Sequence, residues 1–187
     1  MAERRKLTDD KIYKAAVIEF GINGYANTTL SSIAKSSGIS AGLIVQNFGG
    51  KEELYSKIAS DITGYMHKEF QTYSTTWDIR CVGIVEHFVK MLRNNPFAIH
   101  YLNFYVSMLT SKDTPADITK IAYTAYNESP VEKMIKEGQK RGEIINGDPY
   151  DIHTLFWVNM NNTICYCFNH GLEFPSTDWF LQIIRRR

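Results

Sequence analysis

"SSGISAGLIVQNFGGKEEL", residues 36–54, holds a sharp corner between two helical stretches and then the start of a longer helix. Gly38 offers the positive φ that such a reversal needs, and Ser40 is an oxygen-bearing residue placed to cap the second stretch. In that second helix Ile44 and Phe48, four apart, fall on one inward face. Ala41, Gly42, Leu43, Gln46 and Asn47 are left outside, and none of them is charged. The stretch therefore fits a DNA-reading element of unusual polarity, or a tight corner between two packed helices. "GGKEEL" opens a long helix, roughly 51–73, with Leu54, Ile58, Ile62, Met66 and Phe70 at three-to-four spacing.

Toward the N-terminus, Thr8 before Asp9 and Asp10 reads as a helix start, and Ile12, Ala15, Ala16 and Phe20 share a face. Gly21 and Gly24 read as its end. "TTLSSIAKSSG" is a second, short helix with Thr29 as cap and Leu30, Ile33 and Ala34 inward. Arg4, Arg5 and Lys6 form a basic stretch expected to act as a mobile arm along a nucleic-acid backbone or minor groove.

Beyond the long helix the prolines set the punctuation. Pro96 divides two apolar stretches, Pro115 starts another helix and Pro130 interrupts or kinks it. "NGDP" is a turn from which Pro149 opens a helix to about His170, and Pro175 precedes a last one, 176–187. The expected fold is all-α: a three-helix head, residues 1–50, and a helical remainder, residues 51–187, with about nine helices in total.

Composition bounds the function. The chain has 187 residues, 44% hydrophobic and 22% charged, with a formal net charge of +1. It is no polycation, so DNA binding has to rest on local groups. Even within residues 1–60, eight Lys and Arg stand against six Asp and Glu. Three cysteines, Cys81, Cys165 and Cys167, give no disulfide framework, and no apolar run comes after the basic N-terminus, so a cytoplasmic protein is expected. Residues 152–172 lack any Asp, Glu, Lys or Arg but contain four asparagines and two histidines, too many polar groups for a lipid-spanning helix. No phosphate loop, metal-ligand spacing or nucleophile motif occurs, so neither a cofactor nor a metal nor an enzyme activity is expected.

Three stretches taken together, "KIYKAAVIEFGINGY", "TTLSSIAKSSGIS" and "GLIVQNFGGKEEL", resemble the TetR family of bacterial transcriptional regulators. The resemblance covers residues 8–54, with a weaker echo in "IKEGQKRGEIINGDP". It implies that the helix after Ser40 enters the DNA major groove. Gln46 is then the foremost base reader, since its amide can pair bidentately with adenine, and Leu43 can meet a thymine methyl beside Ala41 and Gly42. Thr29, Ser40, Asn47 and Lys51 are expected at phosphates. Where the family usually has tyrosine at position 45 and an aromatic residue or histidine at 47, this chain has Val45 and Asn47, so weaker binding or an unusual site is expected.

The resemblance further implies a homodimer on a two-fold operator and a small-molecule effector in the C-terminal part. Phe88, His100, Tyr101, Phe104, Tyr105, Tyr126, Trp157 and Asn161 are the candidate effector contacts, an uncharged set that suits a neutral or aromatic ligand; each equally fits a core position. Ile152, Phe156, Met160, Ile164 and Phe168 are the candidate dimer face, with packing inside the subunit as the alternative. The functional expectation is a ligand-responsive repressor. The alternatives are a small-molecule-binding protein on the same scaffold with little specific DNA affinity, or an enzyme using the aromatic cavity.

Overall fold

The breaks written by glycine, proline and oxygen-bearing caps divide the chain into helices throughout. The computed structural model describes residues 2–76, 81–127 and 131–186. Among them are ten helices: α1 Ala2–Asn27, α2 Leu30–Ser37, α3 Ala41–Phe48, α4 Lys51–Thr76, α5 Cys81–Asn94, α6 Ala98–Thr110, α7 Ala116–Asn127, α8 Val131–Lys140, α9 Pro149–Asn169 and α10 Thr177–Leu181. The all-α expectation holds, with one more helix than expected. The role of Pro130 lies outside the described residues. None of the helices is long and apolar enough to cross a membrane.

Packing groups the chain into two units, residues 1–66 with 100–127, and residues 67–99 with 128–187. These are groupings by contact, whereas the expected division at residue 50 concerns function. In the first unit Ile12, Ala16, Val17, Phe20, Ile33, Ile44, Leu54 and Ile58 are fully buried. An aromatic cluster completes this core: the Tyr55 ring lies 4.8 Å from Phe20 and 5.0 Å from Phe104. Such edge and tilted pairs add to the stabilisation that burial alone provides. Gly21 brings the backbones of α1 and α6 together, since a Cβ there would stand only 3.1 Å from the Phe104 amide nitrogen.

The second unit is built on α9. Asp148 caps it, accepting from the Tyr150 and Asp151 amides, and Pro149 stands in the first turn where its missing N–H costs nothing. Ile152, Phe156, Met160 and Ile164 are all buried, with Ile135 of α8 and Phe180 and Leu181 of α10.

Three expectations about helix ends are corrected. Helix α1 begins at Ala2, so Thr8 is interior and its hydroxyl donates back to the Arg4 carbonyl at 3.0 Å; Arg4, Arg5 and Lys6 are helical and form no extended arm. The break near its end falls at Gly24 (φ 74°), while Gly21 stays helical and serves as the crossing point with α6. The last helix stops at Leu181. Beyond it the chain pairs with residues 143–145: Ile144 and Arg185 form an antiparallel bridge, and the Arg186 amide donates to the Glu143 carbonyl at 2.9 Å.

Candidate nucleic-acid interface

Helices α1, α2 and α3 form the head, and their joints are chemically closed. Thr29 and Ser32 make a reciprocal capping box: the Ser32 amide donates to Thr29 Oγ1 at 3.0 Å and the Thr29 amide to Ser32 Oγ at 3.2 Å. Gly38 turns the chain in the left-handed region, φ 69°. Ser40 then caps α3, accepting from the Leu43 amide at 3.3 Å. Glu19 of α1 ties down α2 by accepting from the Ser36 hydroxyl. These are short-range arrangements of the kind the residue pattern announces.

Helix α3 has eight residues and one fully buried side chain, Ile44. Gly42, Val45 and Gln46 are exposed; Ala41, Leu43, Asn47 and Phe48 are half-buried. The presented face is thus small, apolar and amide in character, with Gln46 its only polar side chain fully open to solvent. Thr29 and Ser40 are exposed as well. Each uses its oxygen to accept a capping hydrogen bond, which leaves the hydroxyl proton for an outside acceptor such as a phosphate.

Three details depart from the sequence expectation. The Asn47 amide is engaged within the head, Nδ2 donating to Asp9 Oδ1 at 2.7 Å. The Lys51 ammonium folds inward, 4.3 Å from the centroid of the Tyr25 ring and 3.4 Å from the Ala26 carbonyl oxygen. At the start of α4 the Gly50 amide donates to Glu53 Oε2 at 2.8 Å, so a carboxylate of the chain itself already meets one amide of this helix start. A phosphate contact by Lys51 competes with these two contacts of its ammonium. Asp9 is not among the candidate DNA contacts read from the sequence; a contact spanning 38 positions of sequence leaves no periodic signal.

The candidate effector contacts fall in both packing units. His100, Tyr101, Phe104 and Tyr105 lie on α6 in the first, where Phe104 and Tyr105 are buried and the other two half-buried. Burial keeps the His100 imidazole below its ordinary pKa, favouring the neutral ring. Trp157 and Asn161 are buried on α9 in the second unit. The side chains of Phe88 and Tyr126 lie outside the described residues.

The candidate dimer residues differ in their exposure within the single chain. Ile152, Phe156, Met160 and Ile164 are packed inside the protomer, and only Phe168 is exposed. Helix α9 carries apolar residues on two faces, and the regular four-residue stripe is the one turned to the core. The exposed face carries Leu155, Val158 and Tyr166, at 59%, 48% and 59% exposure, beside the exposed Asn159 and Asn162.

The fold and the head together define a class, an all-helical protein with an N-terminal helix–turn–helix. Residues 12–58 match the model of the family described as bacterial regulatory proteins, tetR family, and the TetR resemblance of residues 8–54 is thereby borne out. The chain also shares its fold with several solved structures. A TetR family transcription regulator from Marinobacter aquaeolei VT8 matches with a TM-score of 0.69 at 14% identity, covering 100% of both chains. A putative tetR family transcription regulator from Shewanella sp. PV-4 matches with a TM-score of 0.65 at 16% identity, over 96% of this chain and 99% of that one. The fatty acid degradation regulator FadR from Bacillus halodurans matches at 0.60 and 16% identity, over 93% and 94%. No curated protein matches the chain.

Proposed function

We propose that the protein is a DNA-binding transcriptional regulator that acts in the cytoplasm as a homodimer on a two-fold operator and is released by a small molecule. The observation that carries this reading is the exposed face of α3. Gln46 stands exposed one turn from Gly42 on a helix without charge, and Thr29 and Ser40, the caps of α2 and α3, are exposed as well. Groups with unfilled hydrogen-bonding capacity and no bulk are what a major-groove helix needs to reach base edges.

In function the division falls at residue 50, with the head reading DNA and residues 51–187 serving ligand and partner. Two heads read successive major grooves about 34 Å apart. The exposed Leu155, Val158 and Tyr166 face of α9 is the partner surface this reading requires. The effector is a neutral or aromatic molecule held by uncharged side chains. Release requires that ligand and DNA favour different states of one element, with reciprocal coupling.

Selection of sites from a random duplex pool, repeated across salt concentrations, tests the proposal. An enriched two-fold motif, bound with affinity that falls steeply as salt rises, is the expected result. A second reading is a ligand-binding protein on this scaffold with little DNA affinity. It is favoured by the exposed Val45 and by the inward-folded Lys51, and diffuse binding without a motif would establish it.

A further inference from the structure

We propose that Asp9, a residue of α1 outside the helix–turn–helix, is a positioning residue that sets the aim of the reading helix and so contributes to sequence choice without touching DNA. This rests on the regulator reading above. Helix α3 is short and has Ile44 as its one fully buried side chain. A two-turn helix with one fully buried anchor, its other inward side chains only half-buried, can roll about its own axis, and any roll redirects Gln46. The hydrogen bond from Asn47 Nδ2 to Asp9 Oδ1, 2.7 Å long, supplies a second point. Asn47 lies three residues beyond Ile44, about 4.5 Å further along the axis and roughly 60° around it. Two fixed points at different depths and angles define the roll.

The placement of a carboxylate here supports the assignment. Acid at the rim of a DNA-binding surface repels phosphate and by itself weakens binding. Asp10, its neighbour, is ion-paired with Lys14 at 2.8 Å. Asp9 instead accepts from an uncharged amide on the reading helix, a charge-assisted bond stronger than one between neutral groups. Its use is also directional: with Nδ2 committed to Asp9, the orientation of the Asn47 amide is set.

The test compares Asp9→Ala with Asp9→Asn in the full chain, on the selected operator and on unrelated duplex. Both remove the charge, but only asparagine retains an acceptor for Asn47. Asp9→Ala is expected to lower the ratio of specific to non-specific affinity about tenfold, the size of one base contact. Asp9→Asn is expected to keep the wild-type ratio, and Asp9→Ala combined with Asn47→Ala to lose no more than the larger single effect. Helix content and the thermal midpoint check the head, with Asp9→Leu as a second acceptor-free variant if Asp9→Ala does not fold. Equal ratios for Ala and Asn, or additive losses in the double variant, would overturn the inference. A wild type that enriches no motif would overturn the regulator reading and this inference with it.

Discussion

Helices α3 and α9 share a conspicuous absence: α3 has no charged side chain, and α9 has none after Asp151. Their surroundings are opposite. In α9 the eight buried residues include Phe156, Trp157 and Met160, and charge is missing because a core cannot hold it unpaired. In α3 a single side chain is fully buried and the face beyond it is open. A stretch without charge therefore signals an interface, and only packing tells whether the other side of that interface is the protein itself or something it binds.

The contrast can be broken most forcefully in α9. Met160→Ala, at a fully buried position, is expected to cost about 2–5 kcal/mol of stability, read from urea unfolding tracked by far-UV circular dichroism. A loss well under 1 kcal/mol would place that face outside the core. A second test in the same helix uses pH. Burial depresses the His153 imidazole to about 4, from an ordinary 6.5. The unfolded chain then takes up a proton before the folded one does. Stability is full above about pH 6.5 and drains as pH falls toward 4, by about 2 kcal/mol between roughly pH 7.5 and 5. His153→Leu is expected to flatten that part of the pH profile; an unchanged slope would assign it to other groups.

In α3 the expected response moves from stability to recognition. Gln46→Ala should cost about 1–3 kcal/mol at one base pair of the operator and leave the unfolding midpoint where it was. A fall in stability without change in site preference would make α3 a structural corner. The smallest expected effect is at Leu155, on the exposed face of α9. Leu155→Ala should alter protomer stability by no more than about 0.5 kcal/mol while shifting the monomer–dimer balance in sedimentation. A large stability loss would show that the face is covered within the protomer.

Legibility in the sequence tracks the range of the interactions. Gly38, Thr29, Ser40 and Pro149 each act on neighbours a few positions away, and the head and the start of α9 are legible from them. The beginning of α1 is not, because "TDD" carries the same oxygen-rich signal at a cap and inside a helix; at Thr8 the hydroxyl satisfies itself on the Arg4 carbonyl. Helix α10 ends sooner than its pattern suggests for a related reason. After a turn at 182–184 the backbone of Ile184, Arg185 and Arg186 pairs with residues 143–145, far away in sequence. The Asp9–Asn47 bond and the folding of Lys51 onto Tyr25 are likewise tertiary facts with no periodic trace. On α9 the apolar residues stand out in the sequence, but a helix apolar on two sides does not say which side is its own and which is open to a partner.

Gly21 gives the first unit a mechanical property. With no side chain between them, the α1 backbone rests on α6 at the Phe104 amide, and the Phe104 ring lies 6.2 Å from that of Phe20. At this point backbone meets backbone, and no side chain stands between the helices to adjust by a rotamer change. A residue of any bulk at position 21 would act as a shim driven into the joint.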